Sequence, residues 1–453
     1  FTLLLGDLVC LYLGLFFALL IRHWGWSDQT VATLVPAMST LFLLAVIVLF
    51  VVGLYDLGQS KNTKRFYNKI ILTALIWIML GITYFYVITY ENISPKTILL
   101  LTALLGFGCI ALWRFFYNRF FSKYILLQNI IFAGVTDEVR ELIKLIKNEP
   151  QRGLLVKGII TNQDLTNDPI AHGLAVGRQL RDVFPTNKFN ENYLVVLAPQ
   201  RESRSELAKE LYKGLFRSTG IVGLVSFYEE LTGRIPPFTF SEGWFIANLQ
   251  EQNKKIYDRA KLMIDFISVI LMGVFFITTF PFVSIFIKLS SKGPIFFKQT
   301  RVGKLGKKFV LYKYRTMKAL SSDGSAEIDG PQFSGDKDSR ITIVGKVLRK
   351  TRLDEIPQFI NIARRDMSII GPRPERPEFV DQLLTTMPYY ALRHLIKPGI
   401  TGWAQIKHGY TGSIDENLRK LEYDLFYIKN RGPLLDSAIL LRTINIIAKF
   451  AGK

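Results

Sequence analysis

The sequence predicts a membrane protein of the α plus α/β class. It comprises a four-helix transmembrane bundle, a small parallel α/β domain, and a mainly α domain entered through a re-entrant membrane helix. Three observations predict it. Four apolar runs open the chain, short strand-like runs alternating with polar helical segments follow, and a fifth apolar run precedes a strongly basic C-terminal part. At 453 residues the chain exceeds one ordinary core. A hydrophobic fraction of 49% beside a net charge of +20 is uncommon in soluble enzymes, and fits a membrane together with an anionic partner. Cys10 and Cys109 lie far apart in apolar runs, which indicates neither a disulfide nor a zinc site. Phe1 opens inside an apolar run without a basic leader, so the true start is expected upstream.

The first domain is expected over residues 1–121. Its apolar runs, at about Phe1 to Ile21, Val31 to Leu54, Ile70 to Tyr90 and Thr97 to Phe116, each approach the ~20 residues that span hydrocarbon. They are apolar on every face, which disfavours the buried helices of a soluble bundle. Lys61, Lys64, Arg65 and Lys69 follow the second run and Arg114, Arg119 and Lys123 the fourth, whereas the other loops hold only Arg22 and Lys96. Positive loops stay inside, so both ends of the bundle are expected to face the cytoplasm of a multi-pass inner-membrane protein.

Residues 122–245 read as strands and helices in alternation, with strands near Asn129–Gly134, Leu154–Ile160 and Tyr193–Pro199. A dinucleotide fold needs glycines after its first strand so that a pyrophosphate can approach a helix N-terminus. Here Gly134-Val-Thr-Asp137 offers one glycine, so the domain reads as a degenerate Rossmann-like module, structural or dimer-forming rather than nucleotide-binding. Residues 246–261 serve as a connector.

The fifth apolar run, 262–287, is long enough to cross a bilayer, but carries Asp265 at its entrance and Pro281 after Thr278 and Thr279. A full span would put everything from Lys288 onward outside. That segment holds thirty Lys and Arg against sixteen Asp and Glu, which opposes the placement. A helix that breaks at Pro281 and returns to the same face is the expected alternative, with threonine hydroxyls satisfying the carbonyls that proline frees.

Beyond it, Pro294 to Gly303 and Phe309 to Met317 alternate apolar with basic residues, as on a strand with one cationic face, and a solvated strand on anionic headgroups explains that equally well. Asp323 to Gly335 reads as a loop. Arg349 to Phe359 then sets two adjacent carboxylates, Asp354 and Glu355, among three basic residues of its first four. Adjacent carboxylates repel, and a metal ion, a phosphate site or a salt-bridged helix could each account for them. Pro357 disfavours helix at Ile356, placing the pair near a helix break, and Pro372 and Pro374 fix the chain around Arg373, whose guanidinium suits a bidentate phosphate clamp.

Gly293-Pro294 through Gln299, Tyr312 to Met317, Leu353 to Gln358, Gly371-Pro372-Arg373-Pro374, Lys397 to Trp403 and Leu421 to Asp424 together resemble the bacterial sugar transferases, the polyprenol-phosphate hexose-1-phosphate transferases, over about Ile256 to Lys453. The N-terminal half resembles that of the long members, such as undecaprenyl-phosphate galactose phosphotransferase. The resemblance implies a phosphoglycosyl transferase domain over 262–453 that moves a hexose-1-phosphate, of galactose or glucose type, from a UDP-sugar to undecaprenyl phosphate. UMP leaves, Mg²⁺ assists, and a covalent phosphosugar intermediate forms on the enzyme, as the first membrane step of a cell-surface polysaccharide or O-antigen. It further implies Asp354 as nucleophile and Glu355, with Asp354, as Mg²⁺ ligand. Arg349 and Arg373 become phosphate ligands, Lys313 and Arg315 neighbours of the diphosphate, and Asp424 a substrate-side acid.

Membrane lipids are expected partners, nucleic acid is not, and a homodimer through the α/β domain is open. The rival is a non-catalytic membrane scaffold binding anionic lipid or nucleic acid. Scaffold binding would survive loss of Asp354 and Glu355, whereas catalysis would not.

Overall fold

The computed structural model describes the chain apart from residues 1, 24–27, 88–95, 122–126, 166–167, 184–192, 199–219, 238–241, 250–253, 327–337, 388, 409–413 and 449–453. It divides into two compact units, Phe1–Phe227 and Tyr228–Lys453. Lys123 and most of the expected loop 323–335 lie outside the described residues. Five helices among the described residues are long and apolar enough to cross a membrane, and the chain is a membrane protein.

In the first unit, α1 (Thr2–His23), α2 (Asp28–Val52), α3 (Lys64–Val87) and α4 (Lys96–Phe116) occupy the four apolar runs. Leu11, Met38, Leu41, Trp77, Phe107 and Ile110 meet in their core, and the Trp77 indole donates to the Leu41 carbonyl at 2.7 Å. One polar knot lies among these helices. Arg114 donates through Nε and Nη2 to both oxygens of Asp7, at 3.1 and 2.5 Å, and through Nη1 to the Leu54 carbonyl at 3.0 Å. Both side chains are buried. Arg114 therefore belongs to the last turn of α4 and is neutralised there, so it adds nothing to the cationic loop that follows. Removing one partner of a buried pair leaves a bare charge, and Asp7→Leu alone should cost about 3 kcal/mol. Thermal unfolding in detergent checks this, and adding Arg114→Met should recover most of the loss.

The same unit carries a five-stranded, all-parallel sheet of order β3-β2-β1-β4-β5, with β1 Gln128–Ala133, β2 Leu154–Ile160, β3 Ala175–Gly177, β4 Tyr193–Leu197 and β5 Gly220–Gly223. Ile131, Ile160 and Val195 are buried in its core, which is why these strands read as continuous apolar runs. After β1, Thr136 caps helix α5 (Asp137–Asn148) by accepting from the Val139 N–H, and the first turn holds Asp137 and Glu138. Two carboxylates at a helix N-terminus occupy the place where a phosphate would otherwise gain.

The second unit is organised along α6 (Lys255–Ser290), which spans ~54 Å at 1.5 Å per residue. It starts before residue 262 and stays helical through Pro281, so the backbone is not interrupted there and a return to the same face would rest on a bend rather than a break. Proline removes one donor from a long ladder, too little to end it. The hydroxyls of Thr278 and Thr279 bond the carbonyls of Val274 and Phe275, one turn before the position proline leaves bare. Phe266, Leu271, Ile277, Phe282 and Leu289 are all exposed.

Polar contacts fasten both ends of α6 to the same unit. Near its start Tyr257 and Lys261 reach Asp436 at 2.7 and 2.8 Å, Asp258 pairs with Arg431, and Asp265 accepts from the Ser368 hydroxyl and Ile369 N–H at 2.8 and 2.9 Å. At its end Arg315 donates to the carbonyls of Lys292, Ser291 and Ile287. Between them Phe276 stacks on Tyr314 and Phe296.

Against this helix pack an antiparallel pair, β6 (Phe296–Val302) and β7 (Lys308–Tyr314), then α7 (Ile343–Thr351), a 3₁₀ segment (Leu353–Gln358) and α8 (Phe359–Ala363). The short parallel strands β8 (Ser368–Ile370) and β9 (Gly399–Thr401) approach so closely that a Cβ on Gly399 would run into the Gly371 backbone. Helices Ile414–Asn430 and Pro433–Ala448 complete the unit.

Candidate active site

The chain turns sharply into the site. Helix α7 ends at Thr351, and Arg352 adopts a left-handed conformation, φ 59°, that launches the 3₁₀ segment with Asp354 and Glu355 in its first turn. The break anticipated at Ile356 thus falls at Arg352, while Pro357 sits inside the 3₁₀ segment. Asn361, fully buried on α8, accepts from the Tyr312 N–H at 3.1 Å and donates to the Val310 carbonyl at 2.7 Å. It stitches the acidic segment onto the edge of β7 and so places Lys313, the next residue, opposite Glu355.

Three cations converge on one carboxylate oxygen. Glu355 Oε1 lies 2.8 Å from Lys313 Nζ, 3.2 Å from Arg373 Nη2 and 3.6 Å from Arg352 Nη1. Burial opposes ionisation of Glu355, but Lys313, Arg373 and Arg352 outweigh it and hold the carboxyl far below its usual range. Burial likewise presses the Lys313 ammonium downward.

Asp354 has the opposite environment. The residue is 8% exposed, and its buried Oδ1 has no hydrogen-bond partner among the described residues. Desolvation, with the neighbouring Glu355 charge, lifts its pKa to about 6 even though Lys313, Arg352 and Arg349 pull it down. The two adjacent acids are pushed apart: one is a permanent anchor for cations, the other is poised to gain or lose a proton near neutrality.

The other predicted residues divide. Lys313 and Arg373 join the cluster, and Arg349 bears on Asp354 electrostatically while its Nε donates to Thr316 at 2.9 Å. Arg315 does not join. Its buried guanidinium caps the end of α6, because the last carbonyls of a helix have no internal partner. Asp424, expected on the substrate side, is buried and paired with Arg393 at 2.9 Å. It belongs to a second charged cluster with Glu375 and Lys420, and burial raises its pKa. Arg352, Asn361, Glu375 and Arg393 were not singled out from sequence. Arg352 stands three residues before Glu355, which marks it as a charge and not as a turn, and the others depend on contacts between segments far apart in the chain.

No group of three or more His, Cys, Asp or Glu side chains that could hold a metal occurs among the described residues. Magnesium seldom needs one, because it is commonly held by one or two carboxylates together with substrate phosphate oxygens. The unpartnered Oδ1 of Asp354, next to Glu355, fits that use.

Paired acids of divergent pKa, ringed by cations and backed by an exposed apolar helix, define a membrane enzyme that handles anionic groups. Residues 256–450 match the bacterial sugar transferase family. The chain is 32% identical over 371 residues to a UDP-N-acetylgalactosamine-undecaprenyl-phosphate N-acetylgalactosaminephosphotransferase of Aeromonas hydrophila, covering 82% of this chain and 84% of that protein. It is 28% identical over 348 residues to a UDP-glucose:undecaprenyl-phosphate glucose-1-phosphate transferase of Xanthomonas campestris, covering 73% and 69%. A protein of the same description from Escherichia coli strain K12 is 40% identical over 164 residues, 36% of this chain and 34% of its own length. The chain belongs to the bacterial sugar transferase family, and is a polyprenol-phosphate sugar-1-phosphate transferase by that membership.

Proposed function

We propose that the chain transfers a hexose-1-phosphate from a UDP-sugar to undecaprenyl phosphate through an acyl phosphate on Asp354. The observation that carries this is the bare, buried Oδ1 of Asp354 beside a carboxylate that gathers three cations. In the first half-reaction that oxygen attacks the sugar-bearing β-phosphorus, the bridging P–O bond breaks, and its electron pair leaves with UMP. In the second, an oxygen of undecaprenyl phosphate attacks the same phosphorus and Asp354 leaves as carboxylate. One phosphoanhydride replaces another, so no ATP is required.

The carboxylate meets an anionic electrophile, and Arg373, Arg352 and Arg349 lower that repulsion; Lys313 holds Glu355 in register. Mg²⁺, bound by Asp354 and Glu355, would neutralise further charge on the diphosphate. Two half-reactions also let a water-soluble donor and a lipid acceptor use one site in turn.

The re-entrant placement of α6 is part of this reading. A helix crossing ~30 Å of hydrocarbon would deliver its ends to opposite water phases. Here Asp258, Lys261 and Asp265 at one end and the Arg315-capped carbonyls at the other are bound by one unit, which favours both ends on the cytoplasmic face.

The test is UMP release by the full chain in nanodiscs holding undecaprenyl phosphate, with Mg²⁺ and UDP-glucose, UDP-galactose or UDP-N-acetylgalactosamine in turn. One of these sugars should support turnover with ping-pong kinetics. Because Asp354 is protonated below its raised pKa, kcat/KM should fall as pH drops through about 6. Turnover without a lipid phosphate acceptor, or a rate flat from pH 5 to 7, would refute the assignment.

A further inference from the structure

Five consecutive residues that present Arg373 are gripped one by one. The Gly371 N–H donates to the Thr401 carbonyl at 2.8 Å, and the Pro372 carbonyl accepts from the Gly399 N–H at 2.9 Å. The Arg373 carbonyl accepts from Arg393 Nη2 at 2.8 Å, the Pro374 carbonyl from Arg301 Nη1 at 3.0 Å, and the Glu375 carbonyl from the Val302 N–H at 2.9 Å. Two of those donors are largely buried guanidiniums, each held in turn by an acid, with a hydroxyl added at Arg393 and the Gln299 amide oxygen at Arg301. Arg393 lies 2.9 Å from Asp424 Oδ2 and donates to the Tyr390 hydroxyl at 2.5 Å, and Glu375 takes Lys420 and, at 3.6 Å, Arg301.

Burying so many charges costs several kcal/mol per ion before pairing is counted, and a loop needs none of it merely to close. Water would satisfy these carbonyls at lower cost. What the arrangement achieves is a fixed backbone under one side chain: Arg373, 30% exposed, which reaches Glu355 at 3.2 Å.

We propose that Arg393, seated on Asp424, is a positioning residue that presets the Arg373 guanidinium for the diphosphate of the nucleotide donor. This rests on the functional reading above. Arg393 touches no reacting atom in this scheme. It holds the Arg373 carbonyl while Asp424 holds it, so Arg373 enters the site with only its own side-chain torsions left to settle. Misplacement of a phosphate clamp by about 1 Å is enough to lose much of its value. Lysine cannot replace arginine here, because a point ammonium lacks the planar fork that reaches Asp424, Tyr390 and the carbonyl together.

The experiment is a double-mutant cycle on UDP binding with Mg²⁺, measured by calorimetry on the full chain in nanodiscs. Arg393→Lys should weaken UDP binding about tenfold in an otherwise unaltered chain and less than twofold in the Arg373→Ala background, measured below the thermal midpoint of every variant. Equal weakening in both backgrounds, or no weakening by Arg393→Lys, overturns the proposal. Should Arg393→Lys not fold, Asp424→Asn is judged by the same criterion, since it removes the seat and keeps the shape. Failure of the unaltered chain to bind UDP would instead sink the functional reading, and this proposal with it.

Discussion

Asp354→Asn is expected to reduce UMP release by at least about a thousandfold, since the attacking carboxylate is replaced by an amide that cannot form the acyl phosphate. The same change should make the protein more stable at neutral pH. Asp354 titrates higher in the folded chain than in an unfolded one, so its ionisation weakens folding. That penalty is absent below the unfolded value near 4, grows as pH rises, and is complete above about 6. Asparagine carries no such charge, and a gain of about 1–3 kcal/mol at pH 7.5 that vanishes near pH 4 follows from the size of the shift. Thermal melts at the two pH values measure it. Undiminished turnover would exclude the covalent route, and a loss of stability at pH 7.5 would exclude the strained, desolvated state assigned to this acid.

Glu355→Gln should move stability the other way. This carboxylate is depressed, so its contribution is present throughout the range above the ordinary glutamate pKa and is lost only as pH falls far into the acid. Removing it leaves Lys313 buried without its anion, together with the nearby Arg373 and Arg352, at a cost of about 3–5 kcal/mol. Activity should fall by roughly a hundredfold or more because the clamp loses its anchor. Adding Lys313→Met is expected to restore much of the stability and none of the turnover. Adjacent carboxylates of similar burial would then give opposite signs in one melting experiment; like signs would show that the pair is not split in this way.

Much of this architecture is written locally. Apolar runs of about twenty residues announce α1 to α4 without help from the rest of the chain. The alternation in Tyr312 to Met317 and the prolines around Arg373 likewise carry their own geometry, and Lys313 and Arg373 do reach the acidic pair. Pro281 does not end α6 because a single lost donor is a local penalty, whereas the helix is long on either side of it and is tied to the rest of its unit at both ends and at Phe276. Arg315 directly follows β7 and shares a face with Lys313 by pattern, yet the end of α6 claims it as its cap. Arg393, Asp424, Lys420 and Glu375 meet only because separate helices and loops fold together. No periodicity records such a meeting. Arg352 was legible as a charge and hidden as a turn, since nothing in an arginine marks it for positive φ.

The knot between Asp7 and Arg114 has a bearing on how the protein is made. The two residues are separated by 107 positions, so when α1 enters the bilayer its carboxylate has no partner yet. At roughly 5–20 residues per second of synthesis, the arginine follows about 5–20 s later. During that interval the first helix carries an acid that hydrocarbon does not tolerate in charged form. Biogenesis is then expected to hold α1 near the insertion machinery until α4 arrives, so that α1 is released no earlier than a helix made about a hundred residues later.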